Sequence, residues 1–281
     1  MPLLPTRALL SRAAASHTGI GAFNVLSVET AEGLVSAAER SGLGVVLQIS
    51  ENCVSYHGGL NPIAAACMAL ATDSTAEVAV HLDHATDERL ALSAIDLGFG
   101  SVMFDGAALD YADNVAATRR VVGAAHAAGV LVEAELGTIG GKDGAHAPGV
   151  RTDPGEAASF VADTGVDALA VAVGSSHAMR QRDASLDLEL IARIADAVSV
   201  PLVLHGSSGV PDDQLVQAIQ AGMVKINVST HLNGFFTRAV RSALDSDPAL
   251  VDSRRYLAAG RAALSAEAER LLVLFAGRPT S

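Results

Sequence analysis

An alternation repeated eight times restricts the fold of this chain more than any other feature. Short apolar runs at 20–25, 44–50, 77–83, 101–105, 130–136, 168–173, 201–205 and 224–229 are separated by Ala-rich segments with apolar residues at helical spacing. Runs that are apolar at nearly every position suit strands covered on both faces, which means a parallel sheet with helical crossovers. The intervening helices are expected at 28–41, 61–73, 87–97, 110–128, 154–165, 186–197 and 212–221, with further helices at 230–245 and 255–275. Capping residues are expected at Asn61 before Pro62, at Asp87, at Asp153 before Pro154 and at Pro211-Asp212. Eight units point to a closed α/β architecture, a (β/α)8 TIM barrel, rather than an open doubly wound sheet. No linker or second domain is apparent, so residues 1–281 are read as a single barrel domain. A short N-terminal helix at 5–16, capped by Thr6, would close the bottom, and the C-terminal helices form an arm at about 255–275. The basic, acid-free stretch before His17 also has the composition of a transit peptide, but the closing helix is the preferred reading.

In such a barrel the C-terminal ends of all strands meet on one face, and chemistry is done there. Polar groups stand near the top of every strand: Asn24, Ser50, Asp83 with His84, Asp105, Glu133 and Glu135, His177, His205, and Asn227 with Ser229 and Thr230. Inward positions of a packed barrel should be apolar and branched, so this distribution is hard to attribute to packing. Each residue alone has a bland reading, such as Asp105 in a turn, Asn24 as a cap or His81 as a satisfied core histidine. His84, His177 and His205, however, occupy equivalent ends of strands three, six and seven. Three neutral imidazoles with Asp83 beside them make the donor set of an open catalytic zinc site.

A second cluster adjoins the first. HGSSG (205–209) follows strand seven and NVST (227–230) follows strand eight. Loops at these two places are the habitual phosphate site of the fold, because backbone N–H groups and a helix N-terminus aim at one spot. Gly206 allows close backbone approach, and Ser208 and Thr230 add hydroxyl donors. A metal beside a phosphate implies a small phosphorylated substrate with an oxygen that the metal can polarise.

Composition removes other classes of function. A net charge of −12 offers nothing to nucleic acid or an anionic membrane surface. No apolar run approaches the roughly 20 residues needed to cross a bilayer. Two cysteines, Cys53 and Cys67, make no disulfide framework and suit a reduced cytoplasmic setting.

The segments AFNV (22–25), HLDHA (81–85), SVMFDG (101–106), EAELGTIGG (133–141), GSSHA (174–178), LHGSSG (204–209) and KINVSTHL (225–232) resemble the class II, zinc-dependent ketose-bisphosphate aldolases. The resemblance runs through RRYL (254–257), nearly the whole chain. It implies a lyase of carbohydrate metabolism, of the glycolytic type. It also implies one catalytic Zn2+ on His84, His177 and His205, and Asp83 as the group that moves the C4 hydroxyl proton. Gly206, Ser208, Asn227, Ser229 and Thr230 would grip dihydroxyacetone phosphate. Asn24 and Ser50 would support substrate, Asp105 and Glu135 the outer shell of the metal. A monovalent cation (Na+ or K+) and a homo-oligomer, dimer or tetramer, are implied as well. The chemistry agrees with the residues: parting C3 from C4 leaves an enediolate whose charge a Lewis acid stabilises. The two lysines, Lys142 and Lys225, offer no Schiff-base candidate at a strand end, Lys225 being placed at the bottom of strand eight.

The chain departs from the family pattern in three places. The Gly-Gly-x-Glu-Asp loop after strand five reads GGKDGAHAPG (140–149), so Asp143 becomes the expected proton-transfer acid, with His146 as a substitute. Ala178 stands where glycine follows the second zinc histidine, and His231 where an acid is common. These changes leave the acceptor aldehyde open, with Arg180, Arg182, Arg254, Arg255 and Arg261 as candidates for reading the far end of the sugar. Two other readings compete: a metal-dependent hydrolase, which would want a His-x-His pair where Asn24 stands, and a barrel that binds sugar phosphate without turnover.

Overall fold

Strand-forming runs separated by helices close on themselves: in a computed structural model of the protein, eight parallel strands form a closed barrel in the order β1 to β8. The structure describes residues 4–136, 151–176 and 181–278. Helix α1 (Thr6–Ala15) precedes β1 (Ile20–Asn24), α2 (Val28–Ser41), β2 (Val45–Ser50), α3 (Glu51–His57), α4 (Asn61–Asp73) and β3 (Val78–Ala85). There follow α5 (Glu88–Asp96), β4 (Ser101–Phe104), α6 (Tyr111–Ala127), β5 (Leu131–Leu136), α7 (Pro154–Thr164), β6 (Ala168–Val171), α8 (Leu188–Ala197) and β7 (Leu202–Leu204). The chain ends in α9 (Asp212–Gln220), β8 (Met223–Val228), α10 (Thr230–Ser246) and α11 (Ser253–Phe275). This is a (β/α)8 TIM barrel with extra C-terminal helices, as expected.

Two apolar layers hold it together. Outward-facing Phe23, Leu47, Val80, Leu82 and Val102 pack against Leu34, Ala91 and other residues of the surrounding helices. The lower interior is filled by Ala22, Val46, Ala79, Leu131, Ala168, Ala170 and Val203, with Leu9, Leu10 and Ala13 of α1 as its floor. Each buried leucine of that floor contributes about 1.5–3 kcal/mol relative to exposure. α1 is also tied to the barrel by Leu4 N–H donating to the Val78 carbonyl and by Arg7 paired with Asp167 at 2.6 Å.

The expectation of apolar, branched inward positions holds only for that lower layer. Alanines at 22, 79, 168 and 170 leave the axis open, and buried His81, Glu133, Lys225, Gln48 and Ser101 occupy it. Capping also differs from expectation at three helices; at α9 the N-cap is Pro211 and no side chain caps it. Pro5, not Thr6, is the N-cap of α1, and the buried Thr6 hydroxyl instead pairs with Ser101 Oγ at 2.8 Å. Leu60, not Asn61, precedes α4, and no side chain caps that helix. Asp87 and Asp153 cap α5 and α7 as anticipated. The short α3 lies in a stretch without a predicted element; the Ser50 hydroxyl accepts its Cys53 N–H, and Gly58 ends it at φ 72°. The C-terminal arm closes its own barrel, burying Leu264, Ala268, Leu271, Leu272 and Phe275. Among the described residues no helix is long and apolar enough to cross a membrane.

Candidate active site

Successive residues of a strand face opposite sides, so Asp83 and His84 of a regular β3 could not both point at the barrel axis. They do so because His84 adopts φ 52° and the β3–β4 register shifts between Leu82 and Ala85. A left-handed conformation at a non-glycine residue costs on the order of 1–3 kcal/mol and persists only where its surroundings enforce it. Here three contacts do: His84 Nδ1 lies 2.9 Å from Asp105 Oδ2, His84 Nε2 lies 3.0 Å from His205 Nδ1, and Asp105 N–H donates to the Ala85 carbonyl.

The two histidines meet edge to face, with ring centroids 4.7 Å apart. Their remote nitrogens are each engaged by a carboxylate, His84 Nδ1 by Asp105 and His205 Nε2 by Glu133 Oε1 at 2.9 Å. A carboxylate on one ring nitrogen favours the tautomer that keeps its proton there, leaving the other nitrogen as a lone pair. Two lone pairs turned toward each other at 3.0 Å suit a shared cation better than each other. Asp83, His84 and His205 have donor atoms mutually within 4.8 Å, as do His84, Asp105 and Glu135. Imidazole nitrogens with carboxylates behind them are the donor chemistry that zinc takes.

A string of polar side chains leads away from Asp83. Asn24 Nδ2 donates to Asp83 Oδ2 at 3.1 Å, and Gln48 Nε2 donates to Asn24 Oδ1 at 3.3 Å. Burial alone would raise the Asp83 carboxyl. The field of the neighbouring His84, His205 and Lys225 side chains, with the Asn24 hydrogen bond, outweighs it and holds the group at about 2. Asp83 Oδ1, Asn227 Oδ1, Gln48 Oε1 and Ser175 Oγ are buried without a hydrogen-bond partner among the described residues. Buried polar atoms are rarely left so, and a cluster of them at the mouth of a barrel points to a ligand.

The loops after β7 and β8 converge beside these residues. Gly206 has φ 68°, and a Cβ there would sit 2.7 Å from the Ser176 backbone, so only glycine fits between the ends of strands six and seven. A 3-10 turn over Ser207–Gly209 follows, and Ser229 N–H donates to Ser208 Oγ at 3.3 Å, joining the two loops. Ser229 is the N-cap of α10 but makes no side-chain cap bond, so the first N–H groups of that helix are not taken up by their own cap residue.

The barrel thus brings together Asn24, Asp83, His84, Asp105, Glu135, His205 and Asn227, with Gly206, Ser208, Ser229 and Thr230 alongside. Ser50 stands at the end of β2, where its oxygen serves α3. His177, Asp143, His146 and Arg180 lie outside the described residues. The other arginines suggested for the far end of the sugar are committed elsewhere: Arg182 to Asp212 and the Val210 carbonyl, Arg254 to Asp252, Arg255 to Asp247 and Arg261 to Glu32. His231 pairs with Glu267 at 2.7 Å. Sequence reasoning undervalued Glu133 and Lys225, which meet at 2.8 Å. The Lys225 Cα is indeed low in the barrel, level with Ile20, but its side chain rises along the axis to Glu133. The signal was there in a charged pair at inward positions of two apolar strands.

The family model for class II fructose-bisphosphate aldolase matches residues 4–278. The chain is 38% identical to a fructose-bisphosphate aldolase of Geobacillus stearothermophilus over 270 residues, 95% of this chain and 94% of that protein. It is 36% identical to a 6-phospho-5-dehydro-2-deoxy-D-gluconate aldolase of Bacillus licheniformis, covering 94% of this chain and 91% of the relative. Its structure superposes on the crystal structure of the YdjI aldolase from Escherichia coli K12 with a TM-score of 0.83 and 32% identity, over 98% of this chain and 97% of the other. The chain belongs to the class II fructose-bisphosphate aldolase family and is an aldolase, a carbon–carbon lyase.

Proposed function

We propose that this aldolase is zinc-dependent and reversibly cleaves a ketose phosphate into dihydroxyacetone phosphate and an aldehyde. The observation that carries the reading is the pair His84 Nε2 and His205 Nδ1, 3.0 Å apart with their far nitrogens on Asp105 and Glu133. His84 and His205 hold the metal, with His177 as the third ligand, and Asp105 and Glu135 support it from behind. Zinc bound there supplies Lewis-acid polarisation of a substrate carbonyl oxygen.

The remaining work belongs to the chain's own groups. Asp83, ionised and held by Asn24, takes the proton from the C4 hydroxyl as the C3–C4 bond parts and returns it in the synthetic direction. Gly206, Ser208, Ser229 and Thr230, with the uncapped N-terminus of α10, receive the phosphate, and a monovalent cation, Na+ or K+, belongs beside it. Asn227 and Ser50 orient the three-carbon unit, and Asp143 serves proton transfer at its carbon. A homo-oligomer in the cytoplasm completes the reading. Relatives named for two different sugars, fructose bisphosphate and a phosphorylated deoxygluconate, make both worth assaying.

Exchange of the C3 proton of dihydroxyacetone phosphate in D2O, followed by NMR, tests the half-reaction without any aldehyde. Exchange that a chelator abolishes and zinc restores is the expected result. Exchange indifferent to the chelator would overturn the metal assignment.

A further inference from the structure

Below the two histidines the barrel axis carries a buried charged pair, Glu133 and Lys225. Glu133, Lys225 and His205 are each fully buried or within 1% of it. The two oxygens of Glu133 are divided, Oε1 to His205 Nε2 at 2.9 Å and Oε2 to Lys225 Nζ at 2.8 Å. His81 Nε2 lies 3.8 Å from the same Oε2, and burial and the Lys225 charge keep that imidazole neutral. Its Nδ1 is 2.7 Å from Ser101 Oγ, which in turn meets Thr6 Oγ1 at 2.8 Å on the barrel floor. A bulge in β8 between the pairings Leu202–Met223 and Val203–Lys225 turns Lys225 into this interior.

Two buried charges at this depth rarely stabilise a fold better than apolar residues of the same size. Their geometry instead bears on His205. Lys225 fixes the second oxygen of Glu133, which aims the first at His205 Nε2, a nitrogen that also lies 3.0 Å from the Asn227 amide, and leaves His205 Nδ1 facing His84. We propose that Lys225 and Glu133 are positioning residues that set the tautomer and orientation of His205 as a metal ligand. This rests on the zinc reading above.

The test compares two neutral replacements of the pair in the full-length protein. Glu133→Leu with Lys225→Met removes both charges and the acceptor; Glu133→Gln with Lys225→Met removes both charges but keeps a side-chain oxygen for His205. Zinc affinity is read by competition with a chelating dye, and the His205 tautomer by long-range 15N–1H correlation on histidine-labelled protein. Loss of the acceptor should weaken zinc about 10–100-fold, as for other groups that orient a metal ligand. The glutamine pair should recover most of that loss, which a general packing defect would not allow. Wild-type protein should carry its His205 proton on Nε2, a result that needs no variant to fold. A proton on Nδ1, or wild-type zinc affinity in the folded leucine–methionine variant, would overturn the inference. If His205→Ala binds zinc as tightly as wild type, the metal reading itself fails.

Discussion

Asp105 Oδ2 and His84 Nδ1 lie 2.9 Å apart, and this contact, on a residue whose backbone is left-handed, decides which nitrogen His84 offers to the barrel mouth. Without the carboxylate the ring loses the acceptor that fixes the proton on Nδ1. Asp105→Ala is therefore expected to reduce zinc affinity about 10–100-fold. Its C3-proton exchange activity should return when zinc is supplied in excess. Activity lost even at saturating zinc would place Asp105 in the chemistry instead.

Asp83 makes a prediction about pH. Its folded value of about 2, against an ordinary 3.8, means a carboxylate ionised throughout the working range. Replacing it with Asn should lower kcat/KM for cleavage by about 10²–10⁴, the usual contribution of a positioned acid–base group. Because no protonation of Asp83 intervenes, the ratio of wild-type to variant rates should stay flat from roughly pH 5 to 9. A ratio that collapses toward the acid end would show that Asp83 titrates there and that its environment is wrongly understood.

The periodic part of the fold was legible because each signal was local. Helices at 28–41 and 61–73 match α2 and α4 residue for residue, since apolar spacing and the flanking Ser27 and Gly42 act within a few positions. Strand ends were legible for the same reason, and they located Asn24, Asp83, His84, Asp105, Glu135, His205 and Asn227 on one face. What could not be read was set by tertiary contacts. Glu133 and Lys225 are 92 residues apart, and only closure of the barrel makes them partners. Thr6 reads as a cap by type, yet its hydroxyl is used by Ser101, 95 positions away. The inward turn of both Asp83 and His84 depends on a bulge that no alternation pattern announces.

Gly206 is expected to be intolerant of a side chain. Its φ of 68° disfavours any other residue, and the added methyl would meet Ser176 backbone atoms at 2.7–2.8 Å, which cannot retreat as a flexible side chain would. Gly206→Ala should cost about 1–3 kcal/mol by overpacking and strain. It should also raise the concentration of dihydroxyacetone phosphate needed for half-maximal exchange, because the loop proposed to receive the phosphate must shift. A variant with wild-type urea midpoint and unchanged phosphate dependence would remove Gly206 from the site.

The contact between the C-terminal arm and the barrel mouth supplies a stability prediction with a definite sign. Glu267 on α11 accepts from Arg270 Nη2 at 2.7 Å and pairs with His231 of α10 at 2.7 Å, while Arg270 reaches Asp212 at 2.6 Å. Burial would raise the Glu267 carboxyl, but the His231 and Arg270 hydrogen bonds outweigh it and bring the folded value from 4.5 to about 2. A depressed carboxylate adds stability that is complete above the unfolded value and lost as pH falls toward the folded one. Glu267→Gln should therefore destabilise the protein by about 1–3 kcal/mol near neutrality, since a charged hydrogen-bond acceptor becomes neutral. Measured as urea midpoints, the gap to wild type should narrow as pH falls below about 4.5, the ordinary carboxyl value. A gap that persists unchanged at about pH 3.5, or widens on acidification, would show that Glu267 holds the arm by packing and not by charge.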